Sequence, residues 1–209
     1  MKITKYEHAG LVVEDSGETL VVDPGVLTKL PDLSSVKAVV ITHIHPDHLH
    51  MPNLQKLAAS NPALKLFATD EVIGELTELE VEKVSVTSGE KITEGVFTVE
   101  FFGSEHAIIY QKVPCKNIGV MINEQLYYPG DSFTLPQKPV EVLAFPAGGP
   151  WMKVCEAVEF IKDVAPKTAF PTHNGTLSEF GEMVNYFYIE PAITELGGSF
   201  VKLEPGQSL

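Results

Sequence analysis

The sequence contains no arginine, and all 15 of its basic residues are lysines. Without guanidinium groups, a phosphate or carboxylate on a ligand has to be held by lysine, by backbone N–H groups or by a metal ion. Acidic residues number 28, so the formal net charge is −13. This charge argues against a sequence-independent grip on nucleic acid, whose backbone demands clustered positive charge. We therefore expect no nucleic-acid partner.

Cysteine is scarce and long apolar runs are absent. Cys115 and Cys155 lie far apart and outside any Cys-x-x-Cys pattern, which predicts reduced thiols in the core of a cytoplasmic protein. No apolar run approaches membrane-spanning length, and the first residues lack the pattern of an export signal, so we expect no membrane partner. The length of 209 residues predicts a single domain over 1–209.

Alternating and β-branched residues predict strands in both halves of the chain, with helices between them. The predicted strands are 2–7, 10–14, 18–23, 36–42, 64–68, 81–86, 91–92, 96–102, 118–122, 126–128, 140–145, 168–171 and 199–203. The predicted helices are 52–60, a stretch after 70, 151–164, 178–188 and a short piece after 191. This order predicts an α/β fold in which two packed sheets carry helices on the outside, a four-layer αββα sandwich.

Three histidines and one aspartate lie within a seven-residue segment, although the whole chain has only 7 histidines. His43 and His45 follow an extended run, so at positions i and i+2 they project to the same side and can bind one metal ion together. Pro46 disfavours helix at His45 and turns the chain, which directs Asp47 and His48 towards a second position. The segment therefore predicts half-sites for two metal ions.

Three further residues of the ligand type each stand just past a predicted strand, namely His106, Asp131 and His173. The strand ends are expected at one edge of the fold, where these side chains meet the histidine-rich segment. The predicted ligand sets are His43, His45 and His106 for one ion and Asp47, His48 and His173 for the other, with Asp131 as a bridge between them. Three protein ligands for each ion leave a position for water, as in catalytic sites.

The expected cofactors are two divalent ions. A set of nitrogen and oxygen ligands without thiolate suits Zn²⁺ best and also tolerates Mn²⁺, Fe²⁺ or Ni²⁺. Two such ions lower the pKa of a bridging water, stabilise an oxyanion without arginine and keep the pocket favourable for an anion. The alternative, a histidine-rich loop that binds metal adventitiously, does not explain the positions of His106, Asp131 and His173.

The pattern His43-x-His45-x-Asp47-His48, with the three later ligands, resembles the metallo-β-lactamase superfamily, and Val21 to Gly25 matches its first motif. This resemblance implies an αββα sandwich with a dinuclear site at the shared edge of its sheets. It also implies that Asp23 orients a ligand or the turn after Thr42, whereas the residues alone also allow a strand-ending turn.

Within the superfamily, the chain most resembles the branch of the ascorbate-6-phosphate lactonases. The resemblance is carried by Glu7 to Gly10, Tyr128 to Ser132 and Pro146 to Trp151. Because those lactonases are considerably longer, their substrate is not carried over to this chain.

The resulting expectation is a metal-dependent hydrolase that cleaves an ester-like bond, a lactone or a phosphodiester, in a small anionic metabolite. A hydroxide between the ions attacks, and Asp47 positions it and accepts its proton. The alternatives are a metal-binding sensor or scaffold without turnover and an RNA-processing phosphodiesterase.

Four secondary features remain open in the sequence. His8 either reaches the site or is a hydrogen-bonded core histidine. The loop from Gly148 to Trp151 is expected to open a helix, where it either receives an anionic group or forms a plain turn with a buried Trp. Tyr110 and Lys112 either contact substrate or are merely solvated.

Overall fold

We describe residues 1–110 and 114–209 of a computed structural model. The first sheet contains six strands in chain order. They are β1 (Lys2–Lys5), β2 (Leu11–Asp15), β3 (Glu18–Val22), β4 (Val36–Ile41), β5 (Lys65–Ala68) and β6 (Glu82–Ser85). The first three strands are antiparallel and β3 to β6 are parallel. Helices α1 (Met51–Ser60) and α2 (Asp70–Glu75) connect the parallel strands.

The second sheet contains seven strands in the order β13-β12-β11-β10-β9-β8-β7. They are β7 (Lys91–Glu94), β8 (Phe97–Phe102), β9 (Gly119–Ile122), β10 (Leu126–Tyr128), β11 (Val142–Pro146), β12 (Thr168–Thr172) and β13 (Ser199–Phe200). Strands β7 to β10 are antiparallel and β10 to β13 are parallel. Helices α3 (Val154–Val164) and α4 (Glu179–Thr194) belong to this half.

Three apolar clusters lie between the layers of the fold, and the side chains of β4 contribute to two of them. Ala38 and Val40 pack into the cluster between the two sheets. Val39 and Ile41 point the other way and pack with α1 and α2. A third cluster joins the outer face of the second sheet to α3 and α4. Successive side chains of a strand point to opposite faces, so the apolar side chains of β4 are buried on both sides of the first sheet. The predicted αββα sandwich is confirmed.

Two predicted helix boundaries were wrong. The helix expected from Trp151 begins at Val154, because Trp151 is turned inward and buried. The helix expected to stop near Tyr188 continues through Pro191 as α4. Pro191 removes one backbone donor near the end of the helix, where burial of Ile193 against the second sheet stabilises the last turn.

The final strand and the thiols also differ from expectation. Strand β13 ends at Phe200, and Leu203 lies beyond the strand and packs between the sheets.

Both cysteines are free, but neither is a core residue, since Cys155 is exposed and Cys115 is half-buried. In the described ranges, none of the helices has the length and apolar character needed to cross a bilayer.

Candidate metal centre

The ligand-type side chains meet at one edge of the sandwich, because each follows the end of a strand. Asp23 follows β3, the histidine-rich turn follows β4, and His173 follows β12. Two groups result, each with its candidate ligand atoms within 4.8 Å of one another. They are His43, His45, His106 and Asp131, and His8, Asp47, His48 and His173. All seven predicted ligands are thus brought together, and His8 is an additional member of the second group.

Asp23 organises the turn that carries four of these residues. Its Oδ1 accepts a hydrogen bond from the Thr42 backbone N–H at 2.8 Å, and its Oδ2 accepts from the Thr42 hydroxyl at 2.6 Å. Oδ2 also accepts from His48 Nδ1 at 2.7 Å. The backbone of Asp23 is left-handed, with φ of 46°, and its side chain is fully buried. One carboxylate therefore fixes both the start of the turn and the orientation of the His48 ring.

Hydrogen bonds at Nδ1 set the tautomers of four histidines. The Nδ1 of His106 donates to the carbonyl of Ala107, and that of His173 donates to the carbonyl of Gly148. The Nδ1 of His48 donates to Asp23, as described above. These partners are acceptors only, so Nδ1 carries the proton and Nε2 presents its lone pair when the ring is neutral.

His43 follows the same rule through Thr42. The Thr42 hydroxyl donates to Asp23, so its oxygen accepts from His43 Nδ1 at 3.0 Å. The Nε2 of His43 then faces Nδ1 of His45 at 3.1 Å.

The free ring nitrogens converge on Asp131. Its Oδ1 lies 3.2 Å from His48 Nε2, and its Oδ2 lies 3.2 Å from His106 Nε2 and 2.9 Å from His173 Nε2. Although these distances are short, the three nitrogens and Oδ1 form no hydrogen bond of acceptable geometry. Buried lone pairs that face carboxylate oxygens repel unless a cation lies between them.

The donor set therefore fits metal ions. Imidazole Nε2 atoms held by Nδ1 hydrogen bonds to carboxylate or carbonyl oxygens are the usual arrangement of metal-binding histidines. Asp131 contacts histidines of both groups, which is the position of a bridging carboxylate. Of the chain's 7 histidines, only His50 lies outside the two groups.

The electrostatics show what a cation has to displace. Burial lowers the pKa of His43 well below its ordinary value. Burial also acts to lower the pKa of His173, but Asp131 and Asp47 outweigh it and raise that pKa to about 9. Burial opposes ionisation of Asp131, yet His48, His106 and His173 hold its pKa well below the usual range. Without a metal ion, protons supply the positive charge that the carboxylates require.

The loop from Gly148 to Trp151 supports the ligands. It does not open α3, so the expected helix N-terminus for an anion is absent from this loop. Instead, the Gly148 carbonyl accepts from His173, and the Trp151 indole donates to Asp131 Oδ2 at 2.9 Å. No sequence pattern predicted the Trp151 contact, although Trp151 is the only tryptophan in the chain.

A cavity of about 330 Å³ adjoins the first group, beside His45 and His106. Ile109, Tyr110 and Cys115 contribute to its wall. Tyr110 is largely exposed, whereas Lys112, considered with it above, lies outside the described residues.

Cys115 was missed as a neighbour of the site. Its Sγ lies 3.9 Å from Nε2 of His45, and burial raises the pKa of the thiol to about 11. The two residues are 70 positions apart, so no local pattern links them.

These features define a metal-binding protein with an αββα fold, and comparison with known proteins gives its family. The family described as "Beta-lactamase superfamily domain" matches residues 2–173. The chain is 32% identical over 193 residues to Protein Rv0786c of Mycobacterium tuberculosis, covering 89% of this chain and 90% of that protein. It is 26% identical over 227 residues to a UPF0173 metal-dependent hydrolase of Carboxydothermus hydrogenoformans, covering 99% and 98%.

A solved structure shows the same fold. Igni18, described as a novel metallo hydrolase from Ignicoccus hospitalis, superposes with a TM-score of 0.74 at 20% identity and covers 100% of this chain and 97% of that one. The chain belongs to the metallo-β-lactamase superfamily and is a metal-dependent hydrolase of that superfamily. The lactonase branch stays a prediction.

Proposed function

We propose that this protein uses two divalent ions, Zn²⁺ with Mn²⁺, Fe²⁺ and Ni²⁺ as alternatives, to hydrolyse an ester-like bond in a small anionic metabolite. The bond is a lactone or a phosphodiester. The residues that would hold the ions are His43, His45 and His106 for one and Asp47, His48 and His173 for the other, with Asp131 between them. When bound, such a pair lowers the pKa of a water held between the ions and polarises the bond under attack.

Asp47 is the residue best placed to handle the proton. Its side chain is the most exposed among the second group, at 30%, so it can reach a substrate at the mouth of the site. Burial opposes its ionisation, but His173 and His8 hold its pKa well below the usual range. Asp47 is therefore ionised at neutral pH and can accept a hydrogen bond from the attacking water. We propose that it then takes up the proton of that water.

The observation that carries this proposal is the set of buried Nε2 atoms of His48, His106 and His173. They have no hydrogen-bond partner, while every Nδ1 of the three is satisfied. A purely structural cluster of histidines would satisfy both nitrogens, because an unpaired buried polar atom costs about 1–3 kcal/mol. The preference for an anion rests on the charge of two ions exceeding that of two carboxylates and a hydroxide.

The experiment is depletion of metal followed by reconstitution with each candidate ion. Hydrolysis of lactone, phosphodiester and thioester panels is measured at each stage, with metal content by mass spectrometry. We expect activity only in the reconstituted protein and two ions per chain. Full activity in the depleted protein would refute the proposal, and metal binding without turnover on any substrate would favour a sensor or scaffold.

Two pairs of variants locate the chemistry. Asp47→Asn should abolish turnover with the fold retained, whereas the exposed Asp163→Asn should behave like the wild type. His106→Ala should lose turnover together with metal. His50→Ala is the matched control and should retain both, because His50 belongs to neither group. Salt-dependent binding to RNA tests the remaining alternative, an RNA-processing phosphodiesterase. The net charge of −13 predicts that RNA binding is negligible.

A further inference from the structure

His8 lies in the turn between β1 and β2, next to the second group of ligands. Its ring is buried, and its Nε2 lies 3.0 Å from Asp47 Oδ2. By distance alone, His8 is a candidate ligand with Asp47, His48 and His173. The direction of its hydrogen bonds decides whether it binds metal.

The Nδ1 of His8 has a partner that can only donate. The backbone N–H of Gly175 points at this nitrogen from 3.0 Å. Nδ1 must therefore offer its lone pair, and a neutral ring then carries its proton on Nε2. A protonated Nε2 cannot bind a metal ion, but it donates well to the Asp47 carboxylate. This is the reverse of His48 and His173, whose Nδ1 atoms donate and whose Nε2 atoms are free.

The backbone of His8 is held by the same loop. Its carbonyl accepts from the His173 backbone N–H at 2.9 Å, so the loop after β12 contacts His8 twice. Both His8 and His173 have left-handed backbones, with φ of 61° and 54°. Such conformations are uncommon outside glycine and persist only where the surroundings fix them. His8 thus links the segment that carries His173 to the side chain of Asp47.

We propose that His8 is a positioning residue that is excluded from the metal centre and orients the Asp47 carboxylate through Nε2–H. The inference rests on the proposed function, since it concerns Asp47 as ligand and proton acceptor. It predicts that His8 keeps its Nε2–H tautomer with and without metal, while the other histidines of its group bind through Nε2.

The direct test is long-range ¹H–¹⁵N NMR of the imidazoles in the zinc-free and zinc-loaded protein. We expect a neutral His8 with its proton on Nε2 in both, and zinc-dependent changes at the Nε2 of His48 and His173. A proton on Nδ1 of His8, or zinc bound to its ring, would overturn the inference. If no histidine responds to zinc, the proposed function fails instead, so the two failures are distinguishable.

Two substitutions separate positioning from ligation. His8→Gln can still place an N–H near Asp47, whereas His8→Asn reproduces only the acceptor at the position of Nδ1. We expect His8→Asn to bind two zinc ions, with affinity at the Asp47 site weakened about 10- to 100-fold and kcat reduced more than KM, and His8→Gln to recover most of both. Loss of one zinc ion in both variants would identify His8 as a ligand.

A third variant leaves every ligand and His8 itself in place. A Cβ at Gly175 would lie 3.0 Å from His8 Nδ1, which is closer than ordinary contact. Gly175→Ala should therefore displace the ring and weaken zinc binding in the same sense as His8→Asn. Normal folding, zinc affinity and kcat in both Gly175→Ala and His8→Asn would contradict a positioning role.

An independent observation concerns the outer face of α4. Five apolar side chains at i, i+3, i+4, i+7 and i+8 form a stripe that faces solvent, opposite the buried face of the helix. These are Phe180, Met183, Val184, Phe187 and Tyr188. Phe180 is 69% exposed and Phe187 is 72% exposed. Contiguous patches of this kind mark interaction surfaces.

We infer that this stripe packs against the stripe of a second copy of the chain. Phe180, Met183 and Phe187 of the stripe form one wall of a groove of about 690 Å³. Tyr186, Phe200 and Lys202 also line this groove. A ridge next to a groove on one face is self-complementary under a two-fold axis. The three aromatic rings and two aliphatic side chains offer roughly 500 Å² per copy, or about 1,000 Å² in total, which is the lower limit for a biological interface.

Sedimentation equilibrium tests the inference on the full chain. The wild type should form a dimer of twice 22.8 kDa. Phe187→Glu should weaken it by about 30-fold or more, whereas Val96→Glu, at an exposed apolar position outside the stripe, should not. A wild type that stays monomeric at all concentrations, or a dimer that survives Phe187→Glu, would overturn the inference.

Discussion

Replacing Asp23 with asparagine isolates the support of the metal turn from the metal ligands themselves. The substitution keeps the shape of the side chain, and asparagine tolerates the left-handed backbone at this position as well as aspartate does. What changes is the hydrogen bonding, because the carboxylate accepts three hydrogen bonds, two from Thr42 and one from His48, and an amide has only one oxygen.

The magnitude follows from the groups that the amide NH₂ would face. If the amide oxygen keeps the Thr42 backbone N–H, the NH₂ group points at two former donors, the Thr42 hydroxyl and His48 Nδ1. Hydrogen bonds to a charged group contribute about 1.5–3 kcal/mol each, so losing two lowers the free energy of unfolding by roughly 3–6 kcal/mol. To accept from NH₂, His48 must also move its proton to Nε2, the atom that faces the metal centre. Metal affinity should therefore fall about 10- to 100-fold.

Two assays measure these effects, urea denaturation of the metal-free protein and zinc competition against a chromophoric chelator. Asp163→Asn, on the exposed face of α3, serves as the matched control and should change stability by no more than about 0.5 kcal/mol. Unfolding and zinc affinity of Asp23→Asn that match this control would refute the role assigned to Asp23.

Three further perturbations test other parts of the site. Trp151→Phe removes the donor to Asp131 and should lower kcat by about 10-fold with both ions retained, as steady-state kinetics and metal analysis would show. In the metal-free protein, His173 has a pKa of about 9 against about 6.5 when unfolded, so its stabilisation is complete below pH 6.5 and is lost as the pH rises through 9. Urea titrations at pH values across this range should show that the free energy of unfolding falls by at most about 3 kcal/mol, and that His173→Gln removes this fall. A free energy of unfolding that does not change with pH in the wild type would contradict a contribution from His173. Gly25→Ala should fail to fold or to bind zinc, because its Cβ would overlap the backbone of the metal turn, whereas Gly74→Ala, with open space around it, should raise the melting temperature.

The meeting of the ligand-type side chains at one edge could be predicted from the sequence, because it depends on local rules. Pro46 forces the turn that separates His45 from His48, and the ends of strands place Asp131 and His173 at the same edge. Each of these inferences needs only neighbouring residues.

The supporting contacts were not predictable in the same way. Trp151 reaches Asp131, and Gly175 reaches His8, through the paths of loops that no short pattern encodes. The direction of a hydrogen bond, which separates His8 from the other histidines, is visible only once its partner is known. Continuation of α4 through Pro191 likewise depended on packing against the second sheet.

A crystal of the zinc-loaded protein, with anomalous scattering recorded at the metal edge, would locate the ions themselves. We expect two peaks roughly 3.5–4 Å apart, with Asp131 between them and His8 bound to neither. A single peak on the surface of the histidine-rich turn, with His106 and His173 free of metal, would contradict it.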